Sequence, residues 1–226
     1  MDEHLRLEFN EWARAGRGEG MEKGHRPVGE QGIAQMSLKA NARVLDVGCG
    51  SGWASRLIAE RVPQGQVVGI DISDEMVQLA SNSSTAFANV AFKVASAEAL
   101  PFADNEFDGA FSMESIYYYS DMLAALREIH RVLQNGGEFV SVIDLYLENK
   151  PSHQWVDTLK VPVHLLGIPE YRSLLTEAGF INVKDTRLID PTPVPENYSG
   201  SSFKTREDYV EYKENGSLML VAEARK

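Results

Sequence analysis

Val44-Leu45-Asp46-Val47-Gly48-Cys49-Gly50-Ser51-Gly52 is a short apolar run that stops at three glycines, each two residues from the next. Such a run bounded by glycine is the pattern of a strand buried on both faces of a parallel sheet. Ala54, Leu57 and Ile58 then recur at helical spacing, so the glycines form a strand-to-helix turn. Without Cβ atoms the backbone there can come close to a ligand, and the helix N-terminus beyond offers unpaired N–H groups. Asp46 stands two residues before the first glycine, and Asp71 ends the next apolar run, Val68-Gly69-Ile70-Asp71-Ile72. A carboxylate at that position can accept both hydroxyls of a ribose. The plainer roles are that Asp46 satisfies backbone groups of the turn and that Asp71 caps the next helix. A dinucleotide loop needs a third glycine where Trp53 stands, and no Gly-Lys-Ser/Thr follows as in a P-loop. An acid so close before the turn would also repel a pyrophosphate.

Strand and helix alternate outward from this stretch. Gln66 to Ile70, Val90 to Val94, Phe107 to Met113 and Glu138 to Leu145 read as further strands. Ser73 is an N-cap with Asp74 and Glu75 in the first turn, and Met76, Leu79 and Ala80 on one face. Met122, Leu126, Ile129 and Leu133 form an amphipathic stripe stopped by Asn135-Gly136-Gly137. Tyr171, Leu174, Leu175 and Ala178 line another helix, capped by Gly179. Phe180 to Ile189 and Ser217 to Ala224 read as the last two strands, with no helix expected between them, so one runs antiparallel in an edge hairpin. Repeated β-α units of this length predict an open parallel sheet with helices on both faces and ligands at the C-terminal strand ends. Two regions stand outside the alternation. Leu5, Phe9 and Trp12 share a helical face, but Gly16, Gly18, Gly20 and Gly24 then come too densely for a helix. The insert with Pro151, His153, Trp155, Pro162 and His164 reads, like the N-terminal stretch, as a flap over the strand ends. Pro191-Thr192-Pro193-Val194-Pro195 opens a stiff linker.

The 226 residues suit one domain. The division expected is an N-terminal helical flap (1–40), a cofactor-binding core (41–146), a substrate-side insert (147–168) and a C-terminal helix and hairpin (169–226). Asp and Glu number 33 against 22 Lys and Arg, a net charge of −11, which argues against a nucleic-acid partner. The single cysteine, Cys49, allows no intrachain disulfide and no multi-cysteine metal cage. No apolar run approaches a membrane span, and Met1-Asp2-Glu3-His4 opens acidic with no signal-like stretch after it, so a cytoplasmic location is expected.

With Gly69-Ile70-Asp71-Ile72-Ser73, Ala97-Glu98-Ala99-Leu100-Pro101-Phe102, the Phe107-Asp108 pair and Arg131-Val132-Leu133 before Gly136-Gly137 in this order, Ala42 to Ile143 resembles the class I S-adenosylmethionine-dependent methyltransferases. The subset it is most similar to is the small-molecule type typified by quinone-biosynthesis methyltransferases. The resemblance implies a Rossmann-like α/β fold, a doubly wound, seven-stranded, mostly parallel sheet with an antiparallel C-terminal edge hairpin. It implies S-adenosyl-L-methionine as cofactor and S-adenosyl-L-homocysteine as product. It places Asp46 with the backbone of Gly48, Cys49 and Gly50 on the amino-acid part of the cofactor. Asp71 falls on the ribose, Ile72 and Ala97 on adenine, and Met113 beneath the sulfonium. The family often has Asp where this chain has Ser96, so Ser96 or Glu98 takes the adenine amino group.

A small-molecule acceptor is expected. A carboxylic acid or thiol acceptor ionises readily, whereas a phenol, alcohol or acidic carbon needs a general base. Glu114, directly after Met113, and His25, in Gly24-His25-Arg26-Pro27, are the catalytic candidates. Their plainer roles are a cofactor contact or turn cap and a solvated loop histidine. Of Tyr117-Tyr118-Tyr119, one is expected to line the pocket and Tyr118 is favoured, since an aromatic face attracts a cation. Arg26 can bind an acceptor carboxylate or pair with Glu22 or Glu30. His153 and His164 are further substrate-side candidates, while His130 and His4 read as structural and solvated. No metal is expected, because the histidines lack ligand spacing; Asp144 and Asp121 are the weak members of any carboxylate cluster. The other readings are a cofactor-binding sensor without turnover, a nicotinamide dehydrogenase, disfavoured by Trp53 and Asp46, and a protein methyltransferase. The exposed N-terminal helix can pack on its own sheet or on a partner.

Overall fold

The computed structural model describes residues 2–200 and 202–226. Seven strands, β1 (Arg43–Val47), β2 (Gln66–Asp71), β3 (Val90–Val94), β4 (Phe107–Met113), β5 (Leu133–Ile143), β6 (Phe180–Leu188) and β7 (Ser217–Ala224), form one sheet. Their order is β3-β2-β1-β4-β5-β7-β6. β1 to β5 pair in parallel, and β7 lies between β5 and β6, antiparallel to both. The strand order reverses between β1 and β4, and in such sheets the ligand crevice opens at the C-terminal strand ends beside that point. The apolar side chains divide into two clusters, one on each face of the sheet, as the apolar runs of β1, β4 and β5 require.

Helices cover both faces: α1 (Glu3–Arg14), α2 (Arg17–Gln35), α3 (Trp53–Arg61), α4 (Asp74–Ser83), α5 (Met122–Val132), α6 (Ile168–Glu177) and α7 (Arg206–Asn215). Ser73 caps α4 as expected, its hydroxyl accepting from the Met76 N–H at 3.0 Å. Three expectations are corrected. The glycine-dense segment is helical. Gly16, at φ +70°, separates α1 from α2, and Gly20 and Gly24 face open space, but a Cβ on Gly18 would lie 3.1 Å from Leu79. Further along α2, a Cβ on Gly29 would lie 2.4 Å from the Trp53 ring and one on Gly32 2.6 Å from Val142. The helix therefore lies directly on α3 and β5, and that packing outweighs the propensity cost of about 1 kcal/mol per glycine. Next, α7 stands between β6 and β7. Its sequence carries no apolar stripe, but Thr205 and Asp208 close a reciprocal capping box. Finally, Leu133 begins β5 instead of ending α5, and the Asn135-Gly136-Gly137 stretch lies inside that strand beside a register shift.

The N-terminal helix packs on its own chain. Asn10 donates to Asp74 at 2.9 Å and accepts from the Ser73 hydroxyl at 2.6 Å, while Arg6 and Arg14 pair with Asp74 and Glu75. Arg131 ties the loop before β4 to α5, donating to the carbonyls of Leu100 and Phe102 and to Asp104. No helix among the described residues is long and apolar enough to cross a membrane.

Candidate active site

The glycine turn after β1 is anchored to the end of β2. The N–H groups of Gly48 and Cys49 both donate to the Ile70 carbonyl, at 2.9 and 2.8 Å, and Gly50 N–H donates to Asp71 Oδ2 at 2.9 Å. Gly48 and Gly50 have φ of +74° and +50°, which L side chains avoid. A Cβ on Gly48 would lie 2.4 Å from the Ser115 Cβ, whereas one on Gly50 would enter open space. The Cys49 thiol is buried and pushed well above its ordinary range by that burial.

Asp71 accepts a second backbone bond, from Ser73 N–H at 2.9 Å on Oδ1, and burial raises its carboxyl. A carboxylate has about four lone-pair sites, so two backbone donors leave room for a diol. Asp46 is 1% exposed and accepts from the Ser55 hydroxyl at 2.5 Å. Burial, opposed by that bond and reinforced by the charge of Asp71, pushes its carboxyl up to about 7.

A cavity of about 640 Å³ opens over this turn, within the range of small-ligand sites. Asp46, Gly48, Cys49, Gly50, Asp71, Ile72, Ser96, Ala97, Glu98 and Met113 all line it. Ser96 Oγ accepts from Glu98 N–H at 3.3 Å, and the Glu98 carboxylate is held by Asp121 N–H at 2.9 Å. The Asp121 carboxylate accepts from the Ala124 N–H at 2.9 Å as the α5 N-cap and, among the described residues, joins no cluster that could hold a metal. The opposite wall comes from the N-terminal helices and the insert: Leu5, Phe9, Trp12, Arg17, Met21, Trp155 and Leu159. Phe9 meets Trp12 and Tyr118 edge to face, with centroids 5.1 and 5.0 Å away.

Glu114 and His25 both face the cavity, at the junction of the two walls. Glu114 has φ +52° and accepts from the Tyr117 hydroxyl at 2.7 Å and from the Asp144 N–H. Burial first, and then the neighbouring Asp144, push its carboxyl well up. Burial lowers the His25 imidazole, against the opposing pull of Asp144. Tyr118 lines the cavity, but so do Tyr117 and Tyr119, because the 3-10 turn at Ile116–Tyr118 curls all three around its edge. The expectation that only one would face the site is corrected accordingly.

Three substrate-side candidates lie elsewhere. Arg26 points outward from α2 and pairs with Glu22 at 3.0 Å and Glu30 at 2.7 Å, the plainer of its two roles. His153 meets the Tyr146 carbonyl at 3.2 Å, and His164 meets the Tyr119 carbonyl at 3.0 Å; both bind the insert to the sheet end. Asp144, set aside at the sequence level as a weak cluster member, is brought beside His25 and Glu114. Its place directly after β5 was the available signal.

A doubly wound sheet, a glycine turn after β1, a carboxylate ending β2 and a cavity over both define a nucleoside-binding α/β protein. Residues 38–179 match the family described as "Methyltransferase domain", more than half of the chain. The chain belongs to that family, whose members are S-adenosylmethionine-dependent methyltransferases with this Rossmann-like fold. It is 32% identical over 181 residues to the O-methyltransferase rstn1 of Aspergillus nomiae, covering 76% of this chain and 77% of that one. It is 30% identical over 180 residues to demethylmenaquinone methyltransferase of Staphylococcus aureus, covering 67% and 73%. Among solved structures, a chain of the complex between the Haloferax volcanii Trm112 methyltransferase activator and a methyltransferase matches with TM-score 0.90 and 33% identity, covering 96% and 98%.

The site fits S-adenosylmethionine. Asp71 keeps acceptor capacity for a ribose diol, Gly50 leaves space where a side chain would intrude, and the buried Asp46 beside the turn suits the cationic amino-acid end of the ligand.

Proposed function

We propose that the chain moves a methyl group from S-adenosylmethionine to a small acceptor held in the aromatic half of the cavity. The observation that carries this reading is the continuity of one cavity from the glycine turn to the chamber walled by Phe9, Trp12 and Tyr118. When bound, the cofactor supplies a methyl carbon already activated on sulfonium. The chain's own residues do the rest: Asp71 would take the ribose hydroxyls, Ile72 and Ala97 would flank adenine with Ser96 beside them, and Asp46 with the turn backbone would hold the amino-acid end. Met113 marks the junction where acceptor and methyl meet. Alignment of two bound reactants is worth about 7–11 kcal/mol of barrier. The names of two relatives, an O-methyltransferase and a demethylmenaquinone methyltransferase, support a small-molecule acceptor. The test is transfer of labelled methyl to a panel of small phenols, acids and amines. Transfer to none of them, with the cofactor bound, would favour a cofactor-binding protein without turnover.

A second reading is favoured by the structural match to a chain solved with a methyltransferase activator. In it, this chain acts together with an activator protein. Co-elution with the Haloferax Trm112 protein, and methyl transfer only in its presence, would support that reading over the first.

A further inference from the structure

Three ionisable side chains meet at the junction of the two cavity walls. His25 comes from the middle of α2, Glu114 follows β4 and Asp144 follows β5. One imidazole nitrogen and one oxygen of each carboxylate lie within 4.8 Å of one another. His25 and Glu114 face the cavity, and Asp144 is 1% exposed behind them. Neutral donors hold the acids: the Tyr117 hydroxyl and Asp144 N–H on Glu114, and the Ser217 hydroxyl on Asp144. We propose that His25 is the base that takes the acceptor's proton and that Asp144 is a positioning residue holding the resulting imidazolium, which makes the acceptor a hydroxyl on, or conjugated to, an aromatic ring.

This inference rests on the methyl-transfer reading above and deepens it. A thiol or carboxylic acid acceptor would need no base near neutrality, whereas a phenolic or enolic hydroxyl does. The chamber beside His25 is walled by Phe9, Trp12, Tyr117, Tyr118 and Trp155, faces that suit a planar ring. In the step, the acceptor oxygen releases its proton to a His25 nitrogen and its lone pair forms the bond to the methyl carbon. The carbon–sulfur bond breaks with its electron pair left on sulfur, giving a neutral thioether. Positive charge thus passes from sulfonium to imidazolium, beside Asp144. Burial lowers the imidazole and so favours its neutral form beforehand, while burial and Asp144 raise the Glu114 carboxyl. The other ionisable groups bordering the two cavities that His25 lines are Asp2, Asp46, Cys49, Asp71 and Glu98 on the cofactor side, Arg17 on its own helix, Tyr117, Tyr118 and Tyr119 after β4, and Asp190, Tyr198, Tyr209 and Tyr212 from the C-terminal segment. Lys213, also there, is paired with Asp190 at 2.8 Å.

The probe is para-nitrophenol, whose phenolate is yellow, added to protein saturated with S-adenosylhomocysteine at about pH 6, just below the ordinary histidine pKa of about 6.5. Wild type should bind it with the phenolate band developed. His25→Gln should bind it as the colourless phenol. Asp144→Asn should lower the phenolate-to-phenol ratio about tenfold or more, because losing a charge within about 4–6 Å lowers an imidazole by about one to three pH units. Glu114→Gln should leave the band in place. Identical spectra in wild type and His25→Gln, or no binding of the probe, would overturn the proposal. So would a band that appears only with added magnesium and vanishes with chelator, since the cluster would then be a cation site. Calorimetry with S-adenosylhomocysteine on the same samples separates the two claims. S-adenosylhomocysteine binding retained with a failed probe sinks only the base, whereas no S-adenosylhomocysteine binding by folded wild type sinks the methyl-transfer reading and the base with it.

Discussion

Gly48→Ala should destabilise the protein by about 2–5 kcal/mol, the sum of two costs that the glycine turn keeps separate. Gly48 has φ +74°, and an L residue held in that region loses about 1–2 kcal/mol. Its Cβ would also stand 2.4 Å from the Ser115 Cβ, well inside the 3.4–4 Å of ordinary contact. Ser115 cannot retreat freely, because its hydroxyl is bound to Ser112 at 2.6 Å, the Val47 carbonyl at 3.0 Å and the Tyr119 hydroxyl at 2.7 Å. Overpacking of this kind costs a further ~1–3 kcal/mol. Gly50→Ala supplies the control: φ is +50° and nothing lies within 4 Å, so only the backbone cost of about 1–2 kcal/mol applies. Thermal unfolding should then separate the two variants by roughly 2–12 °C, at about 2–4 °C per kcal/mol for a chain of this size. In the double variant Gly48→Ala/Ser115→Gly the steric part should return, giving a coupling of at least about 1 kcal/mol. Equal melting temperatures for Gly48→Ala and Gly50→Ala, or no coupling to Ser115, would refute this reasoning. Binding should rank the other way, with Gly50→Ala weakening S-adenosylhomocysteine more than its small stability loss suggests, because its methyl enters the cavity.

Further outcomes follow from the same geometry. Asp46 carries a folded-state pKa raised to about 7, so the folded chain holds more protons than the unfolded one and stability should fall as pH rises from about 4 to about 7. Asp46→Asn should remove that part of the fall, of order 3–4 kcal/mol across the window, and urea unfolding as a function of pH measures it. Arg26→Ala removes only two exposed helix pairs and should cost at most about 1 kcal/mol, with ligand binding unchanged by calorimetry. Trp12→Ala opens the aromatic wall, so it should weaken para-nitrophenol binding several-fold while S-adenosylhomocysteine affinity stays within about twofold.

The elements that could be read from the chain are those whose pattern is local. β1 to β4 are apolar runs bounded by glycine, proline or polar turns, and Ser73 announces α4 through its own side chain. What escaped depends on contacts distant in sequence. Gly16, Gly18, Gly20 and Gly24 argue against a helix, and the packing that holds α2 comes later in it, where Gly29 and Gly32 lie on Trp53 and Val142. α7 has no apolar stripe, and only Thr205 and Asp208 mark its start. The cofactor wall was legible because its residues sit at fixed places on consecutive β-α units. The acceptor wall was legible only as two flaps bearing Phe9, Trp12, His25 and Trp155, whereas the approach of Asp144 to His25 was not, since the two come from segments distant in sequence. Arg26, one residue from His25, shows the limit: helical geometry turns it to the surface, where Glu22 and Glu30 hold it.

The central claim is that Asp71 and the glycine turn hold S-adenosylmethionine, and calorimetric titration of wild type, Asp71→Ala and Asp71→Asn with the cofactor and its demethylated product tests it most directly. Each hydroxyl bonded to a charged carboxylate contributes about 1.5–3 kcal/mol. Wild type should therefore bind both ligands in the micromolar range, and Asp71→Ala should lose about 100-fold or more while melting as a folded protein. Folded wild type that binds neither ligand, or an Asp71→Ala variant that binds both as tightly as wild type, would contradict the account.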